Sequence, residues 1–190
     1  MATWIFEPGH TAAEFRAQHM MVTWVRGHFK DVHGRLEFDP ETGAFSSLEA
    51  TIQAQGLWTG EPQRDEHLGS ADFLDVANHP AITFRSTEIE RVGANDYKVT
   101  GLLAIRGQAH NVVIDLHYLG KWRTPYDAAR VTRVGFTGKT RLNRHDFGVS
   151  WNVVMENAGN VVGPDVWITL DVEGILETDL RPILEASSSR

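Results

Sequence analysis

The chain contains no cysteine. That removes disulfides, thiolate metal sites and a thiol nucleophile together, and it leaves the redox compartment open. No apolar run approaches the length needed to cross a bilayer as a helix, so no integral membrane segment is expected. Met1–Ala12 mixes charged and turn residues where a secretory signal would carry an apolar core, which points to a cytoplasmic protein. Positive charge is in deficit. Lys and Arg number 18 against 25 Asp and Glu, and the formal net charge of −7 argues against non-specific binding to nucleic acid. The HExxH zinc motif, the GxSxG nucleophile elbow, internal repeats and low-complexity segments are also missing. With no nucleophile and base at a recognisable spacing, no catalytic residue is assigned. Asp146-Phe147-Gly148 spells the magnesium motif of protein kinases, but neither a Gly-rich phosphate loop nor a catalytic loop accompanies it, and it is set aside.

What is present is alternation. A hydrophobic content of 42% and a charged content of 23% over 190 residues suit one folded domain, and β barrels of this size are routinely undivided. Apolar and polar residues alternate in Ala13–Ala17, Leu48–Gln55, Ile82–Thr87, Tyr97–Ile105, Val112–Tyr118, Val134–Leu142 and Val166–Val172, the period of half-buried strands. Gly27 and Gly34 fall inside strand pattern and suggest bulges or sharp bends. Asp39–Gly43, Gly93–Asp96 and Arg106–His110 read as turns. The pattern gives about eight strands joined mostly by short turns, an all-β antiparallel meander that hides its edges best by closing into a barrel. A barrel of this size is either filled by its own side chains or holds one small ligand. The expected domain is 1–180, with a flexible C-terminal tail at 181–190.

One stretch, about residues 59–78, breaks the alternation. Thr59 is placed to cap a short helix whose first turn holds Glu61 and Pro62. Ser70 is placed to cap a second helical piece through Phe73, Leu74, Val76 and Ala77, stopped by Asn78 and Pro80. Arg64 shares a face with His67 and Leu68, while Asp65 points elsewhere. The stretch reads as a helical plug, with Phe73 and Leu74 as buried anchors. Arg64 and Asp65 read first as salt-bridging residues that fix it to the barrel rim; a head-group contact and a catalytic role are the other readings.

Thr59-Gly60, Arg64-Asp65, His67-Leu68, Ser70, Asp72-Phe73, Asp75-Val76, Pro80 and Ile82-Thr83-Phe84 together resemble the signature of the YceI-like proteins. Three more stretches agree: His10, Phe15 and His19 leading into Gly27-His28-Phe29; Gly101-Leu102-Leu103 with Ile105-Arg106-Gly107; and Asn143–Gly148 with Trp151-Asn152 and Val162-Gly163. The match runs from Trp4 to Glu173. Leu74, His79 and Gly56-Leu57 depart from the family pattern, at positions able to shape a pore. The resemblance implies an extended, eight-stranded, lipocalin-like antiparallel barrel. It implies an isoprenoid lipid, of polyprenyl or isoprenoid quinone type, held in an elongated pore without a further cofactor, and a homodimer. It implies ligand contact for Phe15, His19, Met20, Phe29, Phe38, Arg64, His67, Phe73, Phe84, Phe136, Phe147 and Trp151. An enzyme acting on a small lipophile inside the barrel and a dimerisation module with a filled core are the alternatives. The nine histidines are read as structural, with no metal assigned; His19 and His67 are the two the resemblance places near the pore.

Overall fold

Inward-facing residues recur at every second position of the strands. In the computed structural model, which describes residues 1–123, 130–155 and 159–180, they close a barrel. The strands are β1 (Ala2–Phe6), β2 (Ala12–His19), β3 (Thr23–Phe29), β4 (Val32–Asp39), β5 (Ala44–Gln53), β6 (Leu57–Trp58), β7 (Ala81–Arg91), β8 (Asp96–Ile105), β9 (Gln108–Arg123), β10 (Thr132–Asn143) and β11 (Val162–Leu176). The α-helix α1 (Pro62–Gly69) follows β6, and residues 177–180 after β11 are also helical. Short 3₁₀ turns occupy Ala54–Gly56 and Arg144–Phe147. The tail expected at 181–190 lies outside the described residues. Among the described residues no helix is long and apolar enough to cross a membrane.

Eight strands form the closed antiparallel ring, in the order β1-β4-β5-β7-β8-β9-β10-β11 and back to β1. The remaining three arise because strands are broken where they bend. β11 is long enough to serve two partners: Gly174–Leu176 pair with β1, and Val162–Asp171 pair with β2. β4 continues the wall beside β1, while β3 continues it beside β2. The break between β1 and β2 is pinned by Thr11, which is buried; its hydroxyl donates to the Glu173 carbonyl at 3.3 Å and accepts from the Glu173 N–H at 3.2 Å. β6 pairs with β3 only at His28 and Phe29, so the wall between β6 and β7 is left to α1 and the segment after it.

That segment differs from the sequence expectation. Glu61, not Thr59, precedes the first helical residue, and Pro62 opens the helix. Thr59 serves the helix in the opposite sense. Its N–H donates to the Asp65 carboxylate at 2.9 Å and its hydroxyl donates to the same oxygen. Arg64 closes the group by donating from Nε to the Thr59 hydroxyl at 2.7 Å and from Nη2 to the Thr59 carbonyl at 3.0 Å. Arg64 and Asp65 therefore lock α1 onto β6 through one threonine. The second helical piece forms as successive turns. Ser70 ends α1, donating from N–H and hydroxyl to the His67 carbonyl, and Asp75 at φ 51° in the left-handed region stops a helix from propagating.

The barrel is filled at one end. Phe38 lies among the rings of Phe45, Tyr97, Tyr118 and Phe136, with centroids 5.5, 6.1, 4.8 and 5.1 Å away. Trp4 donates from Nε1 to the Phe38 carbonyl at 2.9 Å. Burial holds the Tyr97 and Tyr118 phenols above their ordinary pKa.

Candidate functional site

Beyond this aromatic floor the inward positions are mostly small or aliphatic, with phenylalanines set among them, and the interior opens. Two chambers lie in line, each of about 140 Å³. The inner one rests on Leu48, Phe84, Val99, Leu116 and Val172. The outer one runs past Ala17, Leu57 and Val166 to the plug residues Leu68, Phe73 and Leu74. They meet at a waist of residues that line both: Phe15, Phe29, Ile82, Ile105, Leu142 and Ile168. On β11 the lining runs from Val162 to Val172; with the bulge between Val162 and Val166 this is about eight regular steps, about 26 Å of strand and about 20 Å along the axis of a barrel tilted in the usual range. Each chamber is comparable to a dry cavity of about 150 Å³ that takes one benzene. The walls are almost wholly aliphatic and aromatic; Thr11, Glu14, Thr140 and Arg144 are the ionisable or hydroxyl-bearing residues along them.

The expected ligand residues separate by height. Phe15 and Phe29 form the waist, Phe84 lines the inner chamber, and Phe73 and Phe147 line the outer one. Phe73 is buried, as expected of an anchor, and Leu74 packs beside it. His67, Phe73 and Trp151 form a triangle over the outer chamber, with ring centroids 4.8–5.2 Å apart. His67 faces Asp72 at 2.9 Å and is partly exposed. Phe38 and Phe136 belong to the floor and not to the chamber walls. Arg64 is held by Thr59, and it lines neither chamber. His19 ends β2, and Met20 lies exposed at the hairpin tip at φ 49°.

Arg144 belongs to the Asn143–Gly148 motif and is not among the expected ligand residues. Arg144 is buried, and its stem lines the outer chamber. Its guanidinium donates to the carbonyls of Gly163, Val149, Trp151 and Val162 at 2.7–3.1 Å, fastening the strands around the mouth. Burial lowers its pKa from the ordinary value. Away from the pore, Glu7, His10 and Glu173 bring their ligand atoms within 4.8 Å of one another. Arg133 pairs with Glu173, and His10 lies against both Glu7 and Glu173, so the group pins the β1–β2 break to β11. His28 stacks on Trp58 and His33 pairs with Asp31.

A closed eight-stranded antiparallel barrel with an apolar interior places the chain in the lipocalin-like class. The YceI-like domain profile matches residues 4–174, and the chain belongs to that family. It is 30% identical to a UPF0312 protein of Azotobacter vinelandii over 169 residues, covering 89% of this chain and 83% of that one. A UPF0312 protein of Pseudomonas paraeruginosa is 32% identical over the same coverage. Among solved structures, the Campylobacter jejuni YceI protein superposes with a TM-score of 0.70 at 25% identity, covering 84% of this chain and 90% of that one. A Saccharophagus degradans domain described as polyisoprenoid binding superposes with a TM-score of 0.67 at 10% identity, covering 93% and 99%, a likeness of fold.

Proposed function

We propose that this protein binds a long-chain isoprenoid lipid, of polyprenyl or isoprenoid quinone type, along the barrel axis and carries or stores it without chemical change. The observation that carries the reading is the pair of in-line apolar chambers, about 20 Å long in all, walled by residues with almost nothing to offer a polar ligand. A bilayer core is about 30 Å thick for two leaflets, so the pore is longer than one leaflet's share of chain. The polyisoprenoid binding described for the Saccharophagus degradans domain of the same fold supports the choice of lipid class. The lining is apolar apart from Thr11, Glu14, Thr140 and Arg144, and Arg144 is committed to four backbone carbonyls, which supports carriage over turnover.

The tail supplies the affinity. Burying one methylene gains about 0.8 kcal/mol, so a five-carbon isoprene unit brings roughly 3–4 kcal/mol gross. A neutral hydrogen bond at the head nets about 1 kcal/mol. Several units outweigh any single polar contact even after the chain is ordered. Protein purified without detergent is expected to carry lipid from its host in near-stoichiometric amount, read by native mass spectrometry with the organic extract analysed alongside. An extract free of lipid counts against the reading, and a product accumulating from the extracted lipid on incubation would overturn carriage in favour of turnover.

A further inference from the structure

The interior wall stows its phenylalanines. Phe15 is the cross-strand partner of Gly27, and a Cβ on Gly27 would stand 2.5 Å from Phe15 Cζ and 2.7 Å from Thr59 Cγ2. The ring thus occupies the space that the missing side chain leaves, and it lies along the wall instead of across the pore. Phe6 over Gly34 and Phe84 over Gly101 repeat the arrangement, with a Cβ 2.6 and 2.4 Å from the ring. At those two glycines a backbone carbonyl is equally close, so the bend of the strand alone forbids a side chain. At Gly27 the crowding comes from side chains alone, and its partner Phe15 lies at the waist.

We propose that Phe15, parked on Gly27, is the gate between the two chambers and sets how long an apolar chain the protein accepts. This rests on the pore reading above. Phe29 faces Phe15 with ring centroids 5.8 Å apart, and Ile82, Ile105, Leu142 and Ile168 complete the constriction. Phe29, Ile82 and Leu142 are buried while Phe15 is half-buried and carries the largest ring free of that packing, so the Phe15 ring is the element whose rotation or enlargement closes the passage. Thr59 occupies the same space above Gly27, so the residue that latches α1 also confines the gate. A chain that stops at the waist buries only the outer chamber's share of its length. One that passes Phe15 buries both and ends on the aromatic floor.

The test uses lipid-stripped protein and four saturated primary alcohols: octanol, dodecanol, hexadecanol and eicosanol. For wild type, affinity is expected to rise about fourfold per methylene through hexadecanol. Phe15→Trp is expected to bind octanol within about twofold of wild type and to gain nothing beyond dodecanol, leaving hexadecanol more than about tenfold weaker than in wild type. A wild-type length profile in folded Phe15→Trp overturns the gate and leaves the pore reading standing. Failure of wild type to bind any of the alcohols overturns the pore reading and the gate with it. Should Phe15→Trp not fold, wild-type crystals grown with terminally brominated hexadecanol decide by anomalous scattering. Bromine in the inner chamber beyond Phe15 supports the gate, and bromine held in the outer chamber overturns it.

Discussion

Phe38→Ala separates a barrel that is hollow at one end from one that is hollow throughout. Phe38 is fully buried and touches four aromatic rings, and its carbonyl receives the Trp4 indole. Truncating a buried phenylalanine costs about 3–5 kcal/mol, toward the upper figure where surrounding rings cannot collapse into the space. For a chain of this length each kcal/mol lowers the melting temperature by about 2–4 °C, so the variant should melt roughly 6–20 °C below wild type. The matched control is Leu170→Ala, on the wall of the inner chamber, where the side chain already borders open space. Its cost should fall near the low end for leucine, about 2–3 kcal/mol, because there is less packing to lose. Both are read on lipid-stripped protein by thermal and urea unfolding, with unchanged urea m-values confirming that the comparison is one of stability. Equal losses at the two positions, or a Phe38→Ala shift under about 2 °C, would refute the filled floor and imply a pore open at both ends.

Asp65→Ala removes the acceptor for the Thr59 N–H and hydroxyl. A hydrogen bond to a charged group nets about 1.5–3 kcal/mol, so α1 should lose protection in hydrogen exchange while β8 to β10 keep theirs. Alkaline pH should act on the floor. The folded-state pKa values of Tyr97 and Tyr118 stand above those of the unfolded chain because of burial. The stability tied to their protons is then present in full below the unfolded value of about 10 and is lost as pH rises through the folded one. Urea midpoints of wild type and Tyr118→Phe should accordingly diverge only above about pH 10. Met21 is exposed and sits at φ 61°, where a side chain costs about 1–2 kcal/mol relative to glycine, part of it returned as unfolded-chain entropy. Met21→Gly should therefore raise the melting temperature by a few degrees, and a fall would show that the hairpin tip is held by its side chain.

Period-two alternation marks which residues face inward, and that much of the fold is legible from residues such as Val32, Leu36 and Phe38 or Tyr97, Val99 and Leu103. Where a strand breaks is decided across the sheet. Pro8-Gly9 marks the β1–β2 interruption in the sequence, but what pins it to the wall is Thr11 meeting Glu173, a contact no local window contains. Likewise β9 runs on through Trp122, because β10 supplies partners as far as Arg123 even though Leu119 and Trp122 face water. The cap of α1 was misplaced for a similar reason: Thr59 fits the capping preference, yet the Asp65 carboxylate draws its N–H and hydroxyl away from that role.

The candidate site was less legible than the fold, and the reason lies in height. Alternation says that Phe15 and Phe38 both point inward, but not that one frames a passage and the other closes it. Height follows from register, which sets Phe15 opposite Gly27 and Phe38 beside Phe45. Once the strands are aligned, the two ends of the barrel differ in side-chain size. Ala13, Ala17, Gly27, Ala50, Gly101 and Gly138 sit on inward positions around the chambers, whereas Trp4, Leu36, Phe38, Tyr97 and Phe136 crowd the floor. The filled end contributes the dispersion and burial that a hollow end gives up. A small residue directly across from a large one lets the ring lie against the wall, so the pore stays open without leaving the wall itself thin. The hollow is therefore specified by pairs of residues on neighbouring strands, and it becomes readable only after those strands have been placed side by side.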